Sequence, residues 1–438
     1  MLSPPINLAE NPNPDLKPDL KPDSNPDSNP GANANANIDS GALPRRAVIA
    51  LAFAAFGSGV SLRVTDPLLP RLAQEFNVSI GSAALVITVF SIAYGLTQLF
   101  FGPMGDRFGK YLVIGWACIA CSLTALLCAL APNLSSLLLA RMLAGGTAAA
   151  VIPLSMAWIG DVIAYDQRQP VLARFLIGQI MGLSAGVMLG GFAAEHLSWR
   201  TPFFGVAGFF VLIGMVLLWI NRRLPARARI LRQTAGSAWA RMLHEFSQVL
   251  AVPWARVVLA TVFLEGMFLY GAFAFIVSHL HLVHGLALST AGTVVMVFGF
   301  GGLLFALFVS TLVKTLGEVG LTRWGGLLVT LAYLTIAFAP IWWWSIPASF
   351  VAGLGFYMLH NTLQINATQM APERRGAAVS AFASSFFLGQ SVGVGLCAIV
   401  LAQVGTAGII AAGAIGVLIV AWNFSRLRAS RVVSSIVL

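Results

Sequence analysis

Residues 80–131 read IGSAALVITVFSIAYGLTQLFFGPMGDRFGKYLVIGWACIACSLTALLCALA, two long apolar runs joined by the short turn GPMGDRFGK, which gathers one acid and two bases. At about 1.5 Å per residue, a helical run of about 20 residues crosses a hydrocarbon core of about 30 Å. Only helices and closed barrels satisfy their backbone polar groups in lipid, and runs this long and uniformly apolar are not barrel strands. The stretch therefore reads as two spanning helices with a polar hairpin between them. Outward from it the pattern recurs, and twelve spans are expected: 47–69, 80–101, 111–131, 134–160, 171–193, 201–221, 256–279, 288–313, 321–340, 344–369, 376–402 and 405–425. The fold class that follows is an all-α membrane protein.

Composition agrees. The 438 residues are 58% hydrophobic and 10% charged, where soluble domains carry roughly 25% charged residues. So few charges cannot cover a water-facing surface of this size, which excludes a soluble globular protein. A net charge of +10 invites a nucleic-acid reading, but Lys and Arg sit in short turns between apolar runs, so no nucleic-acid partner is expected. Cys118, Cys121, Cys128 and Cys397 all fall inside apolar runs, where thiols serve as small packing groups rather than a disulfide framework.

Residues 1–44 are of another character, rich in Asn, Pro, Asp and Ser, with the slipping repeat NPDLKPDLKPDSNPDSNP. They bury too little apolar surface to offset their ordering entropy and read as a disordered tail. The tail lacks the basic start and apolar stretch of a signal peptide, so the first span is expected to direct insertion. With the N-terminus inside, only Arg71 and Arg200 fall outside, while Arg63 and Arg141 lie within spans. The positive-inside rule then puts both termini in the cytoplasm. The basic stretch 222–254 divides 45–221 from 255–425, six spans each, with 426–438 as a second tail. Its centre, QTAGSAWARMLHEFSQVL, suits an amphipathic helix on the membrane surface. A repeat supports the division: the sequences after the fourth and tenth spans share a polar turn, an Arg and a small-residue helix with Gly-Gln near its middle. Two six-helix bundles related by duplication are the architecture of many secondary transporters.

The turn Gly102-Pro-Met-Gly-Asp106-Arg107-Phe-Gly109-Lys110 resembles the signature Gly-x-x-x-Asp-Arg-x-Gly-Arg/Lys of the major facilitator superfamily, departing at Tyr111, where a second basic residue is common. Glycines permit a tight reversal, and an acid beside two bases can be paired in one conformation and released in another. Gly102, Asp106, Arg107, Gly109 and Lys110 are therefore the candidate conformational switch. The resemblance implies that Asp106 meets the N-terminus of the eleventh helix, near Gly376, when the transporter faces outward. Arg141-Met-Leu-Ala-Gly145 resembles the family's Arg-x-x-x-Gly element, and Trp199-Arg200-x-Pro202-Phe203 its entry to the sixth span. Gly182, Gly186, Gly190 and Gly191 resemble its antiporter motif, with Val187 where Pro is usual. Without any family, these glycines form a small-xxx-small face for close helix packing.

Ionisable residues within apolar spans are costly and so are functional candidates. Arg63 and Asp66 share a face of the first span at i, i+3, and with Arg141 at similar depth they are expected to form a cluster. The resemblance adds that the family's drug exporters often carry an acid in the first span and this Arg in the fourth. Glu265 lies near the midplane of the seventh span and is the second candidate proton carrier. His360 and Asn361 offer polar contacts in the tenth. His279, His281 and His284 do not share a helix face, so they read as an interfacial group and no metal site is expected. Trp342, Trp343 and Trp344 read as an interface belt, and Tyr94, Phe268, Tyr270 and Tyr357 as cavity aromatics.

No GxxxxGK[ST] or HExxH motif occurs, so neither direct ATP coupling nor an enzyme is expected, and no cofactor. The expected function is proton-coupled efflux of a small organic compound such as a drug, by a monomer in the bacterial cytoplasmic membrane. Its partners are the substrate, protons and lipid. Proton-coupled uptake and a non-transporting sensor are the alternatives.

Overall fold

A computed structural model of the chain describes residues 30–163, 165–225, 228, 229 and 238–437. The tail expected at 1–44 lies outside them up to residue 29, as do 226, 227 and 230–237 of the basic linker. Among the described residues the chain is helical nearly throughout and holds no strand. In the first half, α1 (Pro30–Arg63) carries the apolar stretch Arg45–Arg63 and is followed by the short α2 (Leu69–Glu75). The hairpin quoted above becomes α3 (Ile80–Phe108) and α4 (Lys110–Ala129). Next come α5 (Leu134–Ala148) and α6 (Val151–Val162), then α7 (Tyr165–His196) and α8 (Thr201–Arg223).

The linker contains α9 (Ala238–Ala251), where an amphipathic helix was expected; its Val249 is buried while Leu243 and Leu250 are exposed. The second half runs through α10 (Pro253–Glu265), a π-helical segment Gly266–Tyr270, α11 (Gly271–Phe273) and α12 (Ile276–His284). It continues with α13 (Leu288–Phe338), α14 (Ser345–Gln369) and α15 (Arg375–Val437).

Nine helices among the described residues are long and apolar enough to cross a membrane. The reading of twelve spans differs for definable reasons. α13 and α15 are each two rods joined at a glycine, Gly317 (φ 62°, ψ 179°) and Gly405 (φ 67°, ψ 175°), a backbone region that side chains bar. α14 is not among the nine, since His360, Asn361, Gln364 and Asn366 dilute its hydropathy.

Two expected spans are also reshaped. The first was read through residue 69, but α1 stops at Arg63, and Asp66 sits in the turn that follows. Pro67 explains this, since it has no N–H and disfavours helix at the residue before it. The seventh was read as unbroken, whereas its helix widens to π geometry directly after Glu265. Such segments cluster at functional sites.

Lipid supplies no hydrophobic drive for one helix to meet another, so close backbone approach matters. Gly178, Gly182 and Gly186 of α7 rest on the α1 carbonyls of Ala52, Phe56 and Val60, and Gly190 on that of Val64 just beyond it; a methyl at Gly186 would stand 2.8 Å from the Val60 oxygen. In the second half Gly389 and Gly393 of α15 rest on the carbonyls of Phe263 and Met267. The two Gly-Gln pairs of the sequence repeat thus occupy matching places, α7 on α1 and α15 on the α10 region.

Candidate functional site

Three buried ionisable groups gather where α1 ends. Arg63 Nη1 donates to Asp66 Oδ2 at 3.3 Å, and Nη2 donates to Gln390 Oε1 at 3.2 Å. Gln390 Nε2 in turn donates to Ser91 Oγ at 3.0 Å. The Arg63 guanidinium lies over the Tyr270 ring, 3.7 Å from its centroid. Arg63 and Asp66 are 2% and 1% exposed, so this pair, unlike a surface ion pair, sits in a low dielectric. Asp66 Oδ1 has no hydrogen-bond partner among the described residues.

Arg141 shares the neighbourhood but not the pair. It donates to the carbonyls of Val86 (3.4 Å) and Ser61 (3.2 Å) and to Thr65 Oγ1 (3.4 Å), with its guanidinium over the Phe90 ring at 4.0 Å. The cluster expected of Asp66, Arg63 and Arg141 is therefore an ion pair plus an arginine that ties α5 to α1 and α3.

A second acid lies at the end of α10. Glu265 is fully buried, and His360 Nδ1 stands 2.9 Å from its Oε2. The structure thus pairs the two candidates Glu265 and His360, which lie in different expected spans. Glu265 Oε1 has no partner among the described residues. His360 stacks on Phe356 with ring centroids 5.0 Å apart and remains partly exposed. Asn361 is half-buried in α14, and its side chain joins no hydrogen bond among the described residues. Tyr270 and Tyr357 line a small cavity with Arg63 and Ser184. Phe268 does not, because it packs against Gly413 and Gly416 of α15. His279, read as interfacial, is fully buried: Nε2 donates to the Ile336 carbonyl at 3.1 Å, so Nδ1 accepts from Thr406 Oγ1 at 2.8 Å. A larger cleft of about 380 Å³ between α1, α7 and α8 has no charged lining residue, so it is not where a titrating acid meets a ligand.

The turn between α3 and α4 is organised by Lys110, whose Nζ bonds Asp106 Oδ1 at 2.7 Å and Asp161 Oδ2 of α6 at 2.8 Å. Gly109 makes the reversal at φ 94°. Arg107 is exposed, its guanidinium 5.1 Å from the Phe108 ring centroid. Gly102 lies in open space, as does Gly376 near the start of α15. Asp106 is thus engaged within its own half and is not on the α15 N-terminus. Asp106→Asn weakens the Lys110 bridge and is expected to slow cycling severalfold in a flux assay while substrate binding at equilibrium stays unchanged.

Residues 51–394 match the family model of the Major Facilitator Superfamily. The chain belongs to that superfamily. It is similar to the uncharacterized MFS-type transporter YceJ of Bacillus subtilis (strain 168), 25% identical over 346 residues, 78% of this chain and 85% of that protein. It is 23% identical over 352 residues to the quinolone resistance protein NorA of Staphylococcus aureus (strain COL), 80% of this chain and 88% of that one. Among solved structures, the nucleoside transporter NupG shares the fold with a TM-score of 0.70 at 15% identity, covering 87% of this chain and 98% of that one. This superfamily member is a multi-pass membrane transporter.

The two halves of this superfamily chain meet at the end where α1 finishes. Along α3 and α15, Gly81 abuts the Ala398 carbonyl, Ser391 Oγ donates to the Thr88 carbonyl at 3.2 Å, and Ser384 Oγ donates to the Gly95 carbonyl at 2.7 Å. Along α7 and α13, Gly191 abuts Leu288 and Glu195 Oε2 accepts from the Leu288 N–H at 2.8 Å. Sequence reasoning did not single out Gln390 as a contact, although its Gly-Gln pair marked the repeat, and it gave Glu195 no role.

Proposed function

We propose that this superfamily transporter exports a small organic compound in exchange for protons by alternating access. The observation that carries the reading is a pair of buried carboxylates, Asp66 in the first half and Glu265 in the second, each with one oxygen that has no partner among the described residues. A buried acid of this kind alternates between a charged state that needs its Arg or His neighbour and a neutral state that does not. Similarity to NorA, a quinolone resistance protein, supports export.

The reading has twelve spans in two six-helix bundles, 45–221 and 255–425, joined by the linker 222–254, with both termini cytoplasmic and the protein a monomer. Seams closed where α1 ends, with open space around Gly102 and Gly376, fit a state open to the cytoplasm. Gly182, Gly186, Gly190 and Gly191 then act as the smooth packing face. Uptake driven by protons is the second reading, favoured by Val187 at the place where the antiporter motif has Pro.

Proteoliposomes under an imposed proton gradient separate the two. Proton leakage triggered by substrate on the opposite side supports export, whereas movement of both in one direction supports uptake. Asp66→Asn keeps an acceptor for Arg63 but cannot ionise, and proton-coupled flux is expected to fall at least about tenfold, or about 1.4 kcal/mol. Wild-type flux in that variant removes Asp66 from the coupling site.

A further inference from the structure

We infer that Glu195 is a latch that holds the two halves together at the end where α1 finishes, by capping the first turn of α13 from the opposite half. The inference builds on the alternating-access reading. A helix begins with backbone N–H groups that have no partner within the helix, and a residue with a side-chain acceptor usually serves one of them. α3 follows this rule: Ser79 precedes it and its Oγ accepts from the Ser82 N–H at 3.0 Å. α13 does not. Its N-cap is Ala287, with extended ψ of 140° and no side chain able to accept.

The missing acceptor comes from another helix. Glu195 lies in the last turn of α7, 93 residues away in sequence, and its Oε2 accepts from the Leu288 N–H at 2.8 Å. A carboxylate at this position also meets the positive end of the α13 dipole. The approach is made possible by Gly191, one turn earlier on α7. A side chain there would collide with the Leu288 carbonyl and approach Gly292 at 3.3 Å. Glu195 thus contributes only while α7 and α13 touch. When that seam opens, the exposed Glu195 carboxylate moves away and the Leu288 N–H loses its partner. The contact therefore stabilises one conformation and not the other, which is the requirement for a latch.

The arrangement mirrors the one implied for Asp106 at the opposite end, an acid of the first half on a helix N-terminus of the second. Glu195 serves the state in which Asp106 is disengaged.

Distances between spin labels on the full-length protein in lipid nanodiscs test this without substrate or gradient. Labels at Leu130→Cys and Leu282→Cys, exposed at the ends of α4 and α12, report the separation of the halves, with the four native cysteines replaced by alanine. Glu195→Ala is expected to raise the long-distance population about five- to tenfold relative to the parent, in line with loss of a charged cap. Glu195→Gln keeps an oxygen for the Leu288 N–H and removes the charge; it should raise the same population about twofold, with unchanged thermal stability. An unchanged distance distribution in either variant overturns the latch. Failure here leaves the proton reading standing, because no flux is measured, and absence of proton-coupled flux leaves the label result standing.

Discussion

Replacing Glu265 by glutamine is expected to lower gradient-driven transport at least about tenfold while the protein still inserts and folds. Glutamine has nearly the same shape, and its amide oxygen can still accept from His360 Nδ1, which stands 2.9 Å from Oε2 in the native chain. What disappears is the ability to take up and release a proton in a fully buried place. Purified variant in proteoliposomes, compared with the native protein at equal incorporation, gives the measurement. A variant with normal flux would show that the Glu265–His360 pair merely joins helices, and Asp66 would then be the only candidate carrier left. The π-helical segment after Glu265 gives the pair its setting. The wider turn breaks the regular ladder beside the acid, and helices tolerate such irregularity where geometry matters more than stability.

The second large effect concerns assembly rather than chemistry. Gly182→Val is expected to yield little or no folded protein, because its Cβ would collide with the Phe56 carbonyl and the methyls would add to the overlap. The obstacle is helix backbone, which cannot rotate away as a side chain can. Overpacking usually costs about 1–3 kcal/mol, and more where backbone must shift. Gly205→Val is the control: that glycine meets nothing within 4 Å, and its variant should purify like the native chain. Size-exclusion profiles and thermal melts of the two decide the matter, and equal behaviour would mean that α7 and α1 are not held at backbone contact.

The sequence displayed the spans because hydropathy over about 20 residues is a strong and local signal. It also exposed the polar turn at Asp106 and the α7 glycines, whose spacing of four matches one helical turn. Other features were not readable. The end of α1 at Arg63 depends on Pro67 acting in a run that otherwise looks helical. The partnership of Glu265 with His360 joins residues 95 apart, and that of Arg63 with Gln390 residues 327 apart. No periodicity encodes such pairs. Phe268 was grouped with the cavity aromatics on residue type alone, yet the widened turn directs it to Gly413 and Gly416. Glu195 escaped notice because an acid at the end of a span looks like an ordinary solvated terminus until the bare start of α13 is seen beside it.

For the proton-coupled cycle proposed above, the tally of charge where α1 ends bears on which ion can serve. Two guanidiniums, Arg63 and Arg141, stand against one carboxylate, so the corner carries a surplus positive charge even with Asp66 ionised. A sodium ion arriving there would find repulsion and, in Asp66 Oδ1, the one carboxylate oxygen at this corner without a partner among the described residues, where hard cations gather several oxygens at once. A proton asks for one lone pair and nothing more. Swapping sodium for potassium or choline around the protein should therefore leave its turnover untouched.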